Sequence, residues 1–266
     1  PTLFDASANL VRRYPKSERV PDTLSLMIDT ALKIGQYRLL ADYLEEYAAM
    51  LPKDEHTPEF LAQAGQIRGI LGQDKLSSAD YQRYLNRKPK DTAQREEAIY
   101  ALVENTRQNG DAHAAIKLLS DHRKLLSTAG RVEADATASL LYAQTGQYNN
   151  AASLLKRANK GYSKKIGTQR PQARDAIAAA AYATIQPSYR RYQNLQLRKV
   201  LDNAVVKKKS KLLASLEKEY QTVINYQSPD WALKSCHQMA KLNEEFARFL
   251  KEAPLPKLAP EQKAQY

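Results

Sequence analysis

Turn-making and cross-linking residues are scarce in this sequence. Nine glycines and twelve prolines in 266 residues are few for the many tight turns of an all-β chain, so the scarcity speaks against sandwiches and barrels and favours helices. The one cysteine, Cys236, excludes an internal disulfide and any metal site made of several thiolates, and it fits a reducing or an oxidising compartment equally. Long apolar runs are also missing. The stretch of lowest polarity, Ile177 to Ile185, falls far short of the ~20 residues that span a bilayer. No glycine-rich phosphate loop, Gly-x-Ser-x-Gly elbow or His-Glu-x-x-His helix occurs. The histidines His56, His113, His122 and His237 never stand three or four residues apart, so no ligand pair shares a helix face. We therefore expect no catalytic residue, metal or cofactor.

What is present reads as a soluble helical protein. The chain is 43% hydrophobic and 26% charged, a balance that buries a core and does not stay disordered. Alanine, leucine, lysine, glutamine and glutamate, the good helix formers, dominate most segments. The formal charge is +12, unevenly placed. From Lys156 to Lys218 sixteen Lys or Arg face only Asp175, Asp202 and Glu217, a net of +13, so the remainder sums to −1.

Two rulers run through the first part of the chain. Gly35, Gly72, Gly110 and Gly146 stand 37, 38 and 36 residues apart, and each is followed by Gln or Asp. Pro15, Pro52 and Pro89 repeat at 37 residues, and the last two lie 17 residues after a ruler glycine. Glycine ends one helix by taking the left-handed conformation; proline disfavours helix at the residue before it and stops the next. Apolar residues at spacings of three and four place the first helix of each pair in Pro21–Ile34, Thr57–Leu71, Thr92–Asn109 and Ala129–Thr145. Nine residues after each glycine come Leu44, Tyr81, Leu119 and Leu155, suited to burial. Five after it come Leu40, Ser77, Ala115 and Ala151, mostly small, as a close helix crossing requires. The unit is helix, glycine turn, helix, proline.

These residues resemble the tetratricopeptide repeat. Gly35-Gln36-Tyr37 with Pro52, and Gly146-Gln147-Tyr148 with Ala151, match the family's turn and second helix; Gly65 and Tyr142 fall on positions of its first helix. The period is about three residues longer than the family's 34, and Leu24, Leu61, Ile99 and Asp135 fill its tryptophan position. The resemblance implies an all-α solenoid of antiparallel helix pairs that binds a protein or peptide without catalysis. Leu3 to Pro15 are expected to be the second helix of a repeat whose first half is missing, as in a fragment of a longer solenoid. Repeats are assigned to residues 1–167 and a C-terminal helical region, continuing or capping the solenoid, to 168–266.

Beyond Gly167 no glycine occurs. Arg170 to Gln186 predicts an alanine-rich helix interrupted near Pro187, and Asn194 to Tyr226 one long amphipathic pattern. Ser228-Pro229-Asp230 predicts a helix start with Ser228 as cap. The helix after it would carry an apolar stripe of Leu233, Cys236, Met239, Leu242, Phe246 and Phe249, with Cys236 a buried small hydrophobe, and end at Ala253-Pro254-Leu255-Pro256. Tyr220 to Ile224, Ser228 to Ala232, Glu245-Phe246-Ala247 and Ala253 to Lys257 together resemble the C-terminal region of large tetratricopeptide proteins of deltaproteobacterial cell envelopes, some linked to gliding motility. That resemblance implies a periplasmic or outer-membrane-associated scaffold; the residues alone leave a cytoplasmic location open.

The candidate partner-binding residues are Arg190, Arg191, Arg198, Lys199, Lys207, Lys208, Lys209 and Lys211, with Tyr189 and Tyr192 among them. Such a run attracts an acidic peptide, an anionic polymer or lipid, or nucleic acid, and equally serves as a solvated helix face. Nucleic acid is the least favoured ligand, because no known binding fold is present and the rest of the chain is neutral. The preferred expectation is a protein-binding scaffold; the alternative is an adaptor for an anionic ligand through residues 156–218.

Overall fold

The computed structural model describes residues 3–196 and 203–252. Among them no strand forms, and the fold is the expected all-α, solenoid-type stack of antiparallel helix pairs with two long helices near its C-terminal end. Packing divides the chain into two compact units, Pro1–Ser127 and Thr128–Tyr266. The 167/168 division concerns where the glycine period stops, which is a property of the sequence.

The first unit begins with α1 (Leu3–Arg13). Three pairs follow: α2 (Val20–Lys33) with α3 (Tyr37–Met50), α4 (Thr57–Ile70) with α5 (Asp74–Asn86), and α6 (Thr92–Gln108) with α7 (Ala112–His122), the last continuing into a 3-10 turn at Arg123–Leu125. The second unit opens with a fourth pair, α8 (Thr128–Gln144) and α9 (Tyr148–Gly161). It continues through α10 (Lys164–Gln169), α11 (Pro171–Thr184), α12 (Gln186–Gln193), α13 (Asn203–Asn225) and α14 (Pro229–Lys251).

The four ruler glycines make one turn four times. Their φ angles are 70°, 69°, 83° and 79°, in the region that favours glycine. At Gly35 the glycine N–H donates to Leu32 O and the next N–H, of Gln36, to Ala31 O. Gly72 and Gln73, Gly110 and Asp111, and Gly146 and Gln147 repeat both bonds. This Schellman pattern satisfies the last carbonyls of the first helix and reverses the chain so that the second packs back on it. Asp111 then caps α7 by accepting from Ala114 N at 2.8 Å, whereas the glutamines at the other three turns make no side-chain cap bond.

Small residues let the helices of a pair approach. Leu40, Ser77, Ala115 and Ala151 are all buried. A Cβ on Gly65 of α4 would lie 3.0 Å from the Tyr81 ring of α5, so that crossing depends on glycine. Leu44, Tyr81 and Leu119 are buried as expected, while Leu155 is only partly so. Asp135, standing where three other repeats have Leu24, Leu61 and Ile99, is 3% exposed. Arg157 of α9 explains it: its guanidinium grips both carboxylate oxygens at 2.8 and 2.6 Å, the fork geometry that makes a buried carboxylate tolerable.

The C-terminal end corrects several expectations. Asn194 to Gln196 are not helical, so the pattern expected to run from Asn194 is broken there. A short helix, α10, precedes the alanine-rich one. Ser228 caps α14 by position only, since its hydroxyl makes no cap hydrogen bond. Cys236 is exposed rather than buried. At about 100° per residue, Trp231, Ser235, Met239, Leu242, Phe246 and Phe249 share one face of α14, while Leu233 and Cys236 fall outside it; Leu233 is 73% exposed. The expected stop at Ala253–Pro256 lies outside the described residues.

Candidate functional site

α12 and α13 send all but one of the described basic candidates to the surface. On α12, Tyr189 and Tyr192 turn inward while Arg190 and Arg191 are exposed. Arg191 donates to Ser188 Oγ at 3.1 Å. Arg198 and Lys199 lie outside the described residues. On α13 the buried face is Lys209, Leu213, Leu216, Tyr220 and Val223. Lys207, Lys211 and Lys218 fall within about 40° of one another on the opposite side, and all three are exposed, as is Lys208 at the flank.

Lys209 is therefore set apart from the other candidates and points into the protein, only 5% exposed. Its ammonium donates to Leu195 O at 2.8 Å and sits 4.6 Å from the Tyr192 ring centroid and 4.3 Å from that of Phe249. Burial lowers its pKa, and the nearby Glu245 carboxylate opposes that shift. Two aromatic faces and a carbonyl replace the water such a cation loses. The residue ties the turn after α12 to α14.

A second polar cluster, absent from the sequence reading, lies in the first unit. Arg68 of α4 is 4% exposed and donates through Nε to Glu45 at 2.8 Å, through Nη1 to Gln73 at 2.7 Å, and through Nη2 to Asp42. Asp80 of α5 is 2% exposed; one oxygen accepts weakly from Arg83 at 3.4 Å, and the other is paired only when the facing Asp80 and Glu45 carboxyls hold a proton between them. Burial above all, then the charge and hydrogen bond of Glu45, push the Asp80 carboxyl up from 3.8 to about 7, against the opposing pull of Arg83 and Arg68. The native state thus holds a proton that the unfolded chain releases near pH 4. Its contribution to stability is complete below that pH and lost as pH rises through about 7. Thermal unfolding followed by circular dichroism should show Tm falling between about pH 5 and pH 8, with Asp80→Asn flattening the slope. An unchanged slope in the variant would remove Asp80 as the cause.

The glycine turns expose apolar side chains in the first two glycine-turned pairs. Leu32, Ile34 and Tyr37 around Gly35 are 55%, 53% and 54% exposed; Ile70, Leu71 and Leu76 around Gly72 are 80%, 39% and 46% exposed. Ile34 and Leu71 both directly precede the glycine, where the third and fourth pairs have Asn109 and Thr145. The position is structurally equivalent in all four turns, so the change from apolar to polar reflects the surface and not the fold. Large apolar side chains clustered in water mark contact sites more often than chance exposure does. Their signal was in the sequence, as apolar residues flanking a turn where polar ones are usual.

Among the described residues no three His, Cys, Asp or Glu side chains converge as a metal site requires, and no helix is long and apolar enough to cross a membrane. His122 is partly buried at the end of α7.

Among the solved structures similar to this chain, three share 14% identity with it. YrrB, described as a TPR protein with an unusual peptide-binding site, covers 87% of this chain and 98% of its own, with a TM-score of 0.47. The MamA protein covers 70% and 100%, with a TM-score of 0.44. A TPR repeats protein from Bacteroides fragilis covers 87% and 98%, with a TM-score of 0.43. No curated protein matches the chain. The family model of the tetratricopeptide repeat matches residues 6–186, more than half of the sequence and all four glycine-turned pairs. This chain belongs to the tetratricopeptide repeat family.

Proposed function

We propose that the chain is a non-catalytic scaffold that holds a protein partner against the glycine-turn edge of its first two glycine-turned pairs, within a bacterial cell-envelope assembly. The apolar side chains at Ile34, Tyr37, Ile70 and Leu71 carry the reading. Ile34 and Leu71 occupy matching positions in successive pairs, where the later pairs have Asn109 and Thr145, and Tyr37 and Ile70 extend the exposed apolar surface beside them. Family membership supports the protein-interaction class. The envelope location, and a role in motility, rest on the likeness of the C-terminal segments to envelope proteins.

A photo-cross-linking amino acid placed at Tyr37 or Ile70, in cells of the source organism, should give discrete protein adducts. The same probe at Leu233, exposed on another part of the chain, should not. Ile34→Ser with Leu71→Ser should remove the adducts while leaving the helical circular dichroism signal intact. Equal labelling at all three positions would sink this reading of the surface. Recovery of the protein in the cytoplasmic fraction alone would overturn the envelope location.

A further inference from the structure

We infer that the outer face of α13 is a docking strip for an acidic helix of a protein partner. The inference rests on the protein-binding reading but concerns a different surface from the turn edge. Lys207, Lys211 and Lys218 form a line parallel to the helix axis on the side opposite its packed face. At a rise of about 1.5 Å per residue, the line spans ~16 Å, with steps of ~6 and ~10 Å. No side-chain ammonium of these lysines, nor that of Lys208 beside them, has a hydrogen-bond or ion-pair partner among the described residues; the one side-chain bond here is to the Lys218 carbonyl, from Thr222 Oγ1. The nearest acids on the helix lie to either side and are already engaged: Glu217 accepts from Asn243 at 2.9 Å, and Glu219 from Ser215 at 3.3 Å. The strip is therefore uncompensated positive charge, and its complement is a row of carboxylates.

The residues between the lysines select the shape of that complement. Ser210, Ala214 and Ser215 are exposed and small, so another rod can lie close alongside without steric cost, and the long lysine stems can reach past the contact line. The exposed positions of α13 include no aromatic side chain on which a base could stack. They include no large apolar side chain to enter a bilayer either. A helix with carboxylates at i, i+4 and i+11, or at the mirrored spacing when antiparallel, meets all three lysines at once. Net repulsion from the rest of this basic segment is relieved by the same contact.

The test uses the full chain and an alanine-rich helical peptide with glutamates at i, i+4, i+11 and i+15, a set that fits either direction. Fluorescence anisotropy at low ionic strength should show binding about tenfold tighter than to a peptide of identical composition with the glutamates spread around the helix. Lys207→Gln, Lys211→Gln and Lys218→Gln together should remove that preference, and moderate salt should weaken it. All three side chains are exposed, and an unchanged circular dichroism spectrum would show that the variant folds. Equal binding of the two peptides overturns the proposal. So does tighter binding of duplex DNA or of phosphatidylglycerol vesicles than of the ordered peptide. The turn-edge cross-links report the scaffold reading separately, so loss of one result leaves the other standing.

Discussion

Arg68→Met should destabilise the first unit by about 3 kcal/mol, lowering Tm by roughly 10 °C, because it removes the cation from a buried cluster and leaves the anions in place. Arg68 is buried between α3, α4 and α5, with its fork shared among Glu45, Asp42 and Gln73. Burial opposes its charge, and the hydrogen bonds and charges of the two carboxylates outweigh that opposition. Methionine fills a similar volume and packs well, so the loss would measure electrostatics and hydrogen bonding more than a cavity. Asp42 is half exposed and can rehydrate, and Glu45 is a quarter exposed and can do so only in part, which places the cost at the low end for a broken buried pair. Arg68→Lys should fall between wild type and Arg68→Met, since a point charge cannot reach three acceptors at once. Mild acid should restore part of the lost stability by protonating the stranded carboxylates. Urea titrations at two pH values would read both effects, and a variant within about 0.5 kcal/mol of wild type would show that the cluster contributes nothing net.

Tyr192→Ala should cost about 3–5 kcal/mol, the range for deleting a large aromatic from a packed core. Tyr192 is fully buried, lies beneath the Lys209 ammonium, and donates its hydroxyl to Leu242 O at 2.8 Å. Burial raises its pKa to about 12, so it stays neutral through the physiological range. Removing the ring also takes away one of the two aromatic faces that accommodate Lys209. Tyr192→Phe keeps the ring and loses one neutral hydrogen bond, so its cost should be about 1 kcal/mol or less. Tyr220 offers the opposite case from the same core. Its hydroxyl is buried without a partner among the described residues, and Tyr220→Phe should be neutral or stabilising by up to about 1 kcal/mol. A larger loss for Tyr220→Phe than for Tyr192→Phe, by chemical denaturation, would contradict the hydrogen-bond assignment of this core.

The repeat region was the most legible because its signals are local. Gly35, Gly72, Gly110 and Gly146 had to take positive φ for the chain to reverse, and three-and-four spacing marked the first helices to within a residue or two of where they form. The last hundred residues were harder to read. The break at Asn194–Gln196 holds no glycine or proline and had only Asn194 to announce it. Cys236 and Leu233 looked apolar enough to be buried, but an apolar residue contributes to a core only if its angle on the helix faces a neighbour. Serine at 235 is buried for the same reason that cysteine at 236 is not.

The candidate sites divide in the same way. That a basic segment exists, that it is largely helical, and that the chain makes helix pairs of the tetratricopeptide kind were all determined by the sequence, since residue type, period and local backbone preference suffice. Only the packing decided that Lys209 turns inward between Tyr192 and Phe249 while Lys207, Lys211 and Lys218 face water. Only packing brought Asp80 beside Glu45 from a helix away, and Arg157 onto Asp135. A charge in a sequence carries no address in space: whether it is a surface contact, a core cation or a shared proton depends on which neighbouring helix lies against it, and that is settled by contacts between residues far apart in the chain.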